Sequence, residues 1–295
     1  MYESEKLLNL HLEVIRLRKK QFQIHESIYK SGTQIPIHFA FGHEAIAVAL
    51  ASNLPSKDKL LLPHRNIHYH LALGATVEDL LAEYQLKTSS ISGRYLGSMN
   101  LDFPTKGAIY TSNILGNNLS VAAGVALGMK VKELKSATWC VTGDGAIEEG
   151  AFFESLLLSS SKNLGVIYVV ENNGWSLAST IEERRIKMNL SLLSQSLGVR
   201  YQKLSGNHVH EYADTLREIR ETNLRTNDTF IVEVELTTLG GYFTAEGDRR
   251  RYVNYHAGKA HKDAISESVI QSDSDDPVFI SEKVTAEIKA ELNIK

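Results

Sequence analysis

The sequence predicts an α/β protein in which helices flank a parallel β-sheet. Short apolar, β-type runs alternate with helical patterns along the second half of the chain, as is typical of βαβ units. The chain has 295 residues, of which 43% are hydrophobic and 23% are charged, the balance of a folded globular protein. We therefore expect residues 1–295 to form one domain, with an N-terminal helix at 3–31 and a C-terminal tail from about 260.

The elements follow from the spacing of apolar residues and from helix-capping signals. Leu8, Leu12 and Ile15 recur among charged residues in a helical rhythm. Thr76 is placed to cap a helix whose first turn contains Glu78. The predicted helices are 3–31, 42–51, 76–85, 147–161, 190–197 and 209–224. The predicted strands are 137–142, 165–171, 199–204 and 230–236.

Charge and cysteine content limit the classes of partner. A net charge of -3 and a pI of about 6.4 provide no basic field, so we expect no nucleic acid and no membrane as partner. Cys140 is the only cysteine, which excludes an intrachain disulfide and suits a reducing compartment. Because no secretory signal and no apolar run of membrane-spanning length is visible, the expected location is the cytoplasm.

The most informative motif is Gly143-Asp144-Gly145-Ala146, between a predicted strand and a predicted helix. Its glycines let a ligand approach the backbone, and a helix N-terminus presents N–H groups to an anion such as a diphosphate. A carboxylate that faces phosphates needs a divalent cation between them, so Asp144 is a candidate magnesium ligand. Asn173 follows the next predicted strand and supplies a second oxygen at the same sheet edge. A simple turn and a nicotinamide-binding turn are the alternatives, and the latter lacks its third glycine at Glu148.

The Gly-Asp-Gly turn followed by Asn172-Asn173 resembles the thiamine diphosphate fingerprint of transketolases, decarboxylases and 2-oxo acid dehydrogenases. Further segments resemble, in the same order, the alpha subunit of the decarboxylating component of 2-oxo acid dehydrogenase complexes, such as those for pyruvate, branched-chain 2-oxo acids or acetoin. These segments are Gly42-His-Glu-Ala (Gly-Gln-Glu-Ala in the family), His64-Arg65, Gly97-Ser-Met-Asn, Ile114-Leu-Gly116 and Phe153-Glu. The resemblance runs from about His38 to Leu236.

The resemblance implies a thiamine diphosphate-binding fold that holds this cofactor together with Mg²⁺. The implied magnesium ligands are Asp144, Asn173 and the backbone carbonyl of Trp175. The other implied cofactor contacts are His64, Arg65, Asn113, Leu115, Gly145 and Ala146. By the same resemblance His38 faces the 2-oxo acid, and His68 is a further candidate to meet the substrate.

The resemblance also implies partner chains. In this family the glutamate that activates the aminopyrimidine ring belongs to a beta-type subunit, so we expect a heterotetramer of two such chains and two partner chains. The implied activity is decarboxylation of a small 2-oxo acid and transfer of the acyl group to lipoate. A lipoyl acyltransferase is therefore a further expected partner.

Three positions depart from the family pattern near the reacting carbon. Tyr242 stands where the family has an active-site histidine, and Ile67 and Asn100 replace two further histidines. A phenol does not titrate near neutral pH as an imidazole does. A transketolase-like or acyloin-forming carboligase is therefore the alternative enzyme. A cofactor-holding partner subunit without turnover is the alternative that is not an enzyme.

The stretch that contains His64, His68 and His70 allows two interpretations. The favoured one is a partly exposed loop that faces the cofactor, with His64 beside the diphosphate. A zinc site is disfavoured because no carboxylate or cysteine lies nearby in the sequence. Glu148, in the first turn of a predicted helix, is interpreted as complementing the helix dipole rather than as a catalytic carboxylate.

Overall fold

A parallel sheet with helices on both faces forms the framework of the protein. The computed structural model describes residues 2–31, 35–177, 179–239 and 242–243. The helices of this part of the chain are α1 (Tyr2–Ser31), α2 (Glu44–Ser52), α3 (Ile67–Ala72), α4 (Val77–Tyr84), α5 (Asn117–Val131), α6 (Gly150–Lys162), α7 (Ile181–Arg184), α8 (Leu190–Ser196) and α9 (Val209–Thr226). The strands are β1 (Ile37–His38), β2 (Lys59–Pro63), β3 (Ala108–Ser112), β4 (Thr138–Gly143), β5 (Val166–Asn172), β6 (Trp175–Ser176), β7 (Ser179–Thr180), β8 (Arg200–Leu204), β9 (Phe230–Glu235) and β10 (Tyr242–Phe243).

The main sheet has six strands in the order β3-β2-β4-β5-β9-β8, and every pairing in it is parallel. The predicted α/β class with a parallel sheet is therefore confirmed. Because β3 and β4 lie on opposite sides of β2, the order of the strands reverses there. Crevices at the carboxyl ends of strands around such a reversal are the usual ligand sites of open α/β sheets.

Side chains that alternate along the central strands build a core on each face of the sheet. In β4, Trp139 and Val141 belong to one buried cluster and Cys140 to the other. Helices α1 to α4 and α9 contribute to the first cluster, whereas α5, α6 and α8 contribute to the second. Both faces of β4 and β5 are buried, which explains why these strands are almost continuously apolar.

The ends of two helices test the capping predictions. Thr76 Oγ1 accepts a hydrogen bond from the backbone N–H of Asp79 at 3.0 Å, and the Asp79 carboxylate accepts one from Thr76 N–H at 2.9 Å, so the predicted cap is confirmed. The helix predicted from residue 147 begins later, at Gly150. A single 3-10 turn at Ala146–Glu148 and an extended Glu149 precede it.

Nine elements of the described chain were not predicted, namely β1, β2, β3, β6, β7, β10, α3, α5 and α7. Strand β2 consists of three leucines between Lys59 and Pro63, and so short an apolar run does not distinguish a strand from a helix. The described helices include none long and apolar enough to cross a bilayer. The tail predicted from about 260 lies outside the described residues.

Candidate functional site

A cavity of about 320 Å³ opens at the carboxyl ends of four adjacent strands, β3, β2, β4 and β5. Its volume lies at the lower end of the range typical of small-molecule sites. The predicted cofactor residues all line it: His64, Arg65, Asn113, Leu115, Asp144, Gly145, Ala146, Asn173 and Trp175. His38, predicted to face the substrate, lines it too. The parallel sheet therefore brings together residues that are up to 137 positions apart, from 38 to 175.

The Gly-Asp-Gly turn places a buried carboxylate at the cavity. Asp144 is 2% exposed, and its Oδ2 accepts a hydrogen bond from Arg184 Nη2 at 2.9 Å. Burial raises the pKa of Asp144, although the Arg184 guanidinium opposes this shift. Gly145 leaves no room for a side chain, since a Cβ there would lie 2.5 Å from Ser176 Oγ.

Asn173 and Trp175 line the cavity just after β5, the strand adjacent to β4. Asn173 Oδ1 accepts a hydrogen bond from Trp175 N–H at 3.0 Å, and Asn173 Nδ2 donates one to Thr238 Oγ1 at 2.8 Å. Gly174 between them has a φ of +77°, a conformation that glycine adopts without strain. The turn directs the chain into the short β6-β7 hairpin, which begins at Trp175.

Arg65 brings a buried positive charge to the cavity. Its guanidinium is 8% exposed and donates a hydrogen bond to the Phe39 carbonyl. Burial lowers the pKa of Arg65 to about 10, while Glu171 and Asp144 act in the opposite direction. Burial and the neighbouring Arg65 lower the pKa of His64 to about 4, so this imidazole is neutral at pH 7.

Glu171, which the sequence analysis did not identify, is the centre of a buried polar cluster. Its carboxylate lies 3.4 Å from His43 Nδ1 and 3.2 Å from His68 Nε2, and it accepts a hydrogen bond from the Tyr69 hydroxyl at 2.9 Å. Burial alone would raise the pKa of Glu171, but His43 and His68 lower it overall, well below its usual range. The only signal in the sequence is a charged residue at the end of an apolar strand.

His68 and His70 do not lie in a partly exposed loop, so that expectation was wrong. Both belong to α3, both are fully buried, and neither lines the cavity. His68 Nε2 contacts the Glu171 carboxylate, and His70 Nε2 lies 3.1 Å from the Leu101 carbonyl oxygen. No carboxylate lies near these histidines in the sequence, but the fold places Glu171 against His68.

Glu148 holds two arginines at the edge of the cavity. Its Oε1 accepts hydrogen bonds from Arg184 Nε and Arg185 Nε, both at 3.0 Å. Arg184 in turn contacts Asp144, so one guanidinium bridges the carboxylates of two different turns. Sequence reasoning missed this arrangement, since Glu148 was interpreted as complementing a helix dipole.

The substrate-side candidates His38 and Tyr242 lie opposite each other in the antiparallel β1-β10 pairing. The rings of His38 and His64 are 4.5 Å apart at an interplanar angle of 71°. His38 is nearly buried at the cavity wall. The backbone pairing thus brings residue 242, near the end of the described chain, to the side of the cavity formed by β1.

The doubly covered parallel sheet, with its Gly-Asp-Gly and Asn-Asn turns at one cavity, defines an α/β protein of the thiamine diphosphate-binding class. Solved transketolases share this fold. That of Leishmania mexicana has a TM-score of 0.59 at 16% identity, covering 98% of this chain and 46% of the transketolase. That of Campylobacter jejuni has a TM-score of 0.62 at 14% identity, and the match covers 98% of this chain and 48% of the transketolase. These likenesses concern the fold alone.

The chain belongs to the Dehydrogenase E1 component family, whose sequence profile matches residues 13–284. This confirms the family resemblance inferred from the motifs. The alpha subunit of acetoin:2,6-dichlorophenolindophenol oxidoreductase from Bacillus subtilis (strain 168) is 31% identical over 179 residues, 61% of this chain and 54% of the relative. The subunit of the same name from Cupriavidus necator is 27% identical over 255 residues, 85% and 74% of the two chains.

A third relative is the pyruvate dehydrogenase E1 component subunit alpha of Rickettsia prowazekii, 25% identical over 217 residues, 72% of this chain and 66% of the relative. The matched region thus spans about half the length of the Bacillus subtilis relative and larger shares of the other two. Members of this family use thiamine diphosphate.

Proposed function

We propose that this chain is the alpha subunit of a thiamine diphosphate-dependent 2-oxo acid dehydrogenase, which decarboxylates a 2-oxo acid and transfers the acyl group. One observation carries the proposal: Asp144, Asn173, Trp175 and Arg65 converge on one cavity at the carboxyl ends of adjacent parallel strands. This set combines oxygen donors for a divalent cation with a cation for a diphosphate.

The oxygen donors fit Mg²⁺. Asp144 supplies a carboxylate, Asn173 an amide oxygen and Trp175 a backbone carbonyl, and all three residues line the cavity. Hard oxygen ligands of this kind are those that Mg²⁺ prefers, with phosphate oxygens and water completing the coordination. Arg184 donates a hydrogen bond to Asp144 Oδ2, so Oδ1 of Asp144 would be free to bind the cation.

Polar groups without partners fit the diphosphate. Thr142 Oγ1 is buried and has no hydrogen-bond partner among the described residues, and Thr142 lines the cavity beside Gly143. Arg65 supplies the positive charge, while Gly145 and Ala146 present backbone to the ligand without bulk. When bound, thiamine diphosphate supplies the nucleophilic carbon and the electron sink that decarboxylation of a 2-oxo acid requires.

The remaining walls would orient the two ends of the cofactor. Asn113 and Leu115 lie in the segment after β3 that would hold the aminopyrimidine ring, and Asn113 N–H donates a hydrogen bond to Asn100 Oδ1 at 3.2 Å. At the substrate end, His38 and the neutral His64 can each donate a hydrogen bond to an oxygen of the 2-oxo acid. Tyr242 would replace the family histidine there with a phenol donor.

An exposed apolar surface supports the proposed beta-type partner. On α5 and α6, Leu127, Val131, Phe153, Leu157 and Leu158 are all exposed, with Val131 74% exposed. Grouped apolar side chains of this kind mark protein interfaces. We place the glutamate that activates the aminopyrimidine ring on that partner, in a heterotetramer of two chains of each kind. A lipoyl acyltransferase would accept the acyl group, and the buried free thiol of Cys140 suits a cytoplasmic enzyme.

Calorimetric titration of thiamine diphosphate and Mg²⁺ tests the proposal, using the chain alone, the chain co-expressed with its beta-type partner, and the Asp144→Ala variant of the complex. We expect magnesium-dependent binding in the complex and its loss in the variant. Absence of binding in every wild-type preparation would refute the cofactor assignment. Binding of equal affinity without the partner would refute the shared site.

A carboligase is the second candidate, favoured by Tyr242 in the position of the family histidine. Such an enzyme passes the bound fragment to an aldehyde or a sugar instead of to lipoate. Incubation of the complex with a panel of 2-oxo acids and either lipoamide or glycolaldehyde distinguishes the two by their products. If the complex binds the cofactor but turns over with neither acceptor, the chain is a cofactor-holding subunit without turnover.

A further inference from the structure

A series of buried polar contacts runs along the wall of the cavity from Glu171 to Asn173. Glu171 Oε2 lies 3.4 Å from His43 Nδ1, and His43 Nε2 lies 2.8 Å from Thr238 Oγ1. Thr238 Oγ1 accepts a hydrogen bond from Asn173 Nδ2 at 2.8 Å. His43 is 1% exposed and Thr238 is fully buried, so solvent does not compete for these contacts.

We propose that His43 and Thr238 are positioning residues that hold the Asn173 amide with its oxygen directed to the divalent cation. The inference rests on the proposed function, because it requires Asn173 to be a metal ligand. An amide binds a cation only through its oxygen, and rotation by 180° would present the nitrogen instead. Thr238 retains the nitrogen, while Trp175 N–H occupies one lone pair of Oδ1 and leaves the other for the cation.

The chemistry of the donor and acceptor groups determines which group donates each hydrogen bond in this series. The amide nitrogen of Asn173 only donates, so Thr238 Oγ1 accepts there. A carboxylate only accepts, so we assign the ring proton of His43 to Nδ1, which lies 3.4 Å from Glu171 Oε2; Nε2 then accepts from the Thr238 hydroxyl. Glu171 thereby selects the tautomer of His43 that can accept from Thr238, as outer-shell carboxylates do for metal-binding histidines.

Position 43 is also where this sequence has histidine and the resembled family has glutamine. A glutamine amide has a donor and an acceptor, so it can bridge Glu171 and Thr238 in the same order as the histidine. The conservative variant His43→Gln should therefore keep the Asn173 amide in place. His43→Leu, of comparable size, removes both polar contacts.

The same cluster has an alternative interpretation as a zinc site, because ligand atoms of His43, His68 and Glu171 all lie within 4.8 Å of one another. Two observations oppose it. The Glu171 carboxylate already accepts a hydrogen bond from the Tyr69 hydroxyl at 2.9 Å. The buried guanidinium of Arg65 also interacts with Glu171, and it would repel a second cation.

The test is calorimetric titration of Mg²⁺ at saturating thiamine diphosphate, with the wild-type complex and four variants. We expect His43→Leu and Thr238→Val to weaken magnesium binding by about 10- to 100-fold, the usual effect of losing an outer-shell partner. His43→Gln should bind close to wild type. Tyr69→Phe is the matched control, because it removes a hydrogen bond to the same carboxylate but none on the path to Asn173.

The outcomes separate this inference from the proposed function. If the wild type binds thiamine diphosphate and Mg²⁺ but His43→Leu and Thr238→Val bind equally well, the positioning role is refuted and the function stands. If the wild type does not bind the cofactor, the function itself fails. Stoichiometric zinc in the purified complex, lost in His68→Leu, would also refute the positioning role. If thermal unfolding shows that His43→Leu is not folded, magnesium binding by Thr238→Val alone tests the positioning role.

Discussion

At Gly145 the distance to a neighbouring side chain restricts the residue type. A Cβ added there would lie 2.5 Å from Ser176 Oγ and 2.7 Å from Ser176 Cβ, well inside van der Waals contact. We expect Gly145→Ala to displace β6 and to weaken thiamine diphosphate binding by about tenfold, in line with overpacking costs of roughly 1–3 kcal/mol. Calorimetry on the complex measures this change.

The double variant Gly145→Ala/Ser176→Gly provides the control. It removes both atoms that crowd the added methyl group, and the next nearest atom, Ser176 Cα, would lie at an ordinary 3.9 Å. Binding should therefore recover. An unchanged defect in the double variant would show that crowding by Ser176 is not the cause.

Asp144 and Asn173 could be located from the sequence because each directly follows a predicted strand, and a parallel sheet brings such positions to one edge. Arg65 follows β2, which was not predicted, so its assignment came from the family resemblance alone. Thr238 and Arg184 could not be located in this way. Their contacts with the site depend on side-chain reach and on loop paths, which no local pattern encodes.

At the scale of elements, the segment around α7 is held at the site mainly through charge. Glu148 accepts from Arg184 and Arg185, each at 3.0 Å. We expect Glu148→Gln to weaken both contacts and to increase amide hydrogen exchange across residues 181–185, because a neutral amide binds a guanidinium less strongly than a carboxylate does. Mass spectrometry of exchanged peptides provides the measurement.

Glu149→Gln is the matched control for this prediction. The neighbouring Glu149 is exposed, and the same loss of charge there should leave exchange at 181–185 unchanged. Equal exchange in Glu148→Gln and wild type would mean that packing of the β6-β7 hairpin, rather than Glu148, holds the segment.

Periodicity predicted the elements with a clear pattern and missed those without one. The strands β4 and β5 are long apolar runs buried on both faces, and they were predicted to within one residue at each end. Helix α5 was missed because alanine, glycine and valine are spread around it with little polar contrast between its faces. Its exposed apolar residues belong to the surface proposed for the beta-type partner, which would give the helix a second buried side.

At the scale of the whole molecule, histidines that are buried in their neutral form predict that the folded protein loses stability as the pH falls. Burial lowers the pKa of His70 to about 4 in the folded protein, against 6.5 for the exposed group. Between these values the unfolded chain binds a proton that the folded protein does not, so the free energy of unfolding decreases as the pH falls from 6.5 to 4. For His70 the decrease amounts to about 3 kcal/mol.

Urea denaturation at a series of pH values between 4 and 7 measures this dependence. His11 and His64, whose pKa values are also lowered to about 4, act in the same direction. His70→Gln removes one titrating group but can still donate to the Leu101 carbonyl, so its stability should fall less steeply with acid than that of the wild type. Identical slopes would contradict the assignment to His70.

Assembly is the second prediction for the whole molecule. Leu157 on α6 is 57% exposed, so Leu157→Glu should leave the fold intact while placing a charge in the surface assigned to the beta-type partner. We expect thermal unfolding of the isolated chain to be unchanged and the heterotetramer to be lost on size-exclusion chromatography with light scattering. Tyr29→Glu, on α1 at the other face of the sheet, should leave assembly intact.

The close approach of the chain's early and late segments has a consequence for biosynthesis. Leu239 N–H bonds the Phe41 carbonyl at 2.8 Å, β10 pairs with β1, and a Cβ on Gly42 would collide with the Thr237 carbonyl. During translation, residues 37–43 are therefore synthesised roughly two hundred codons before the segment that they contact in the folded protein. A ribosome-bound chain that stops before Thr238 lacks the contacts that hold His43 and Asn173 at the cavity, so we expect cofactor binding at the last stage of synthesis and not in its course.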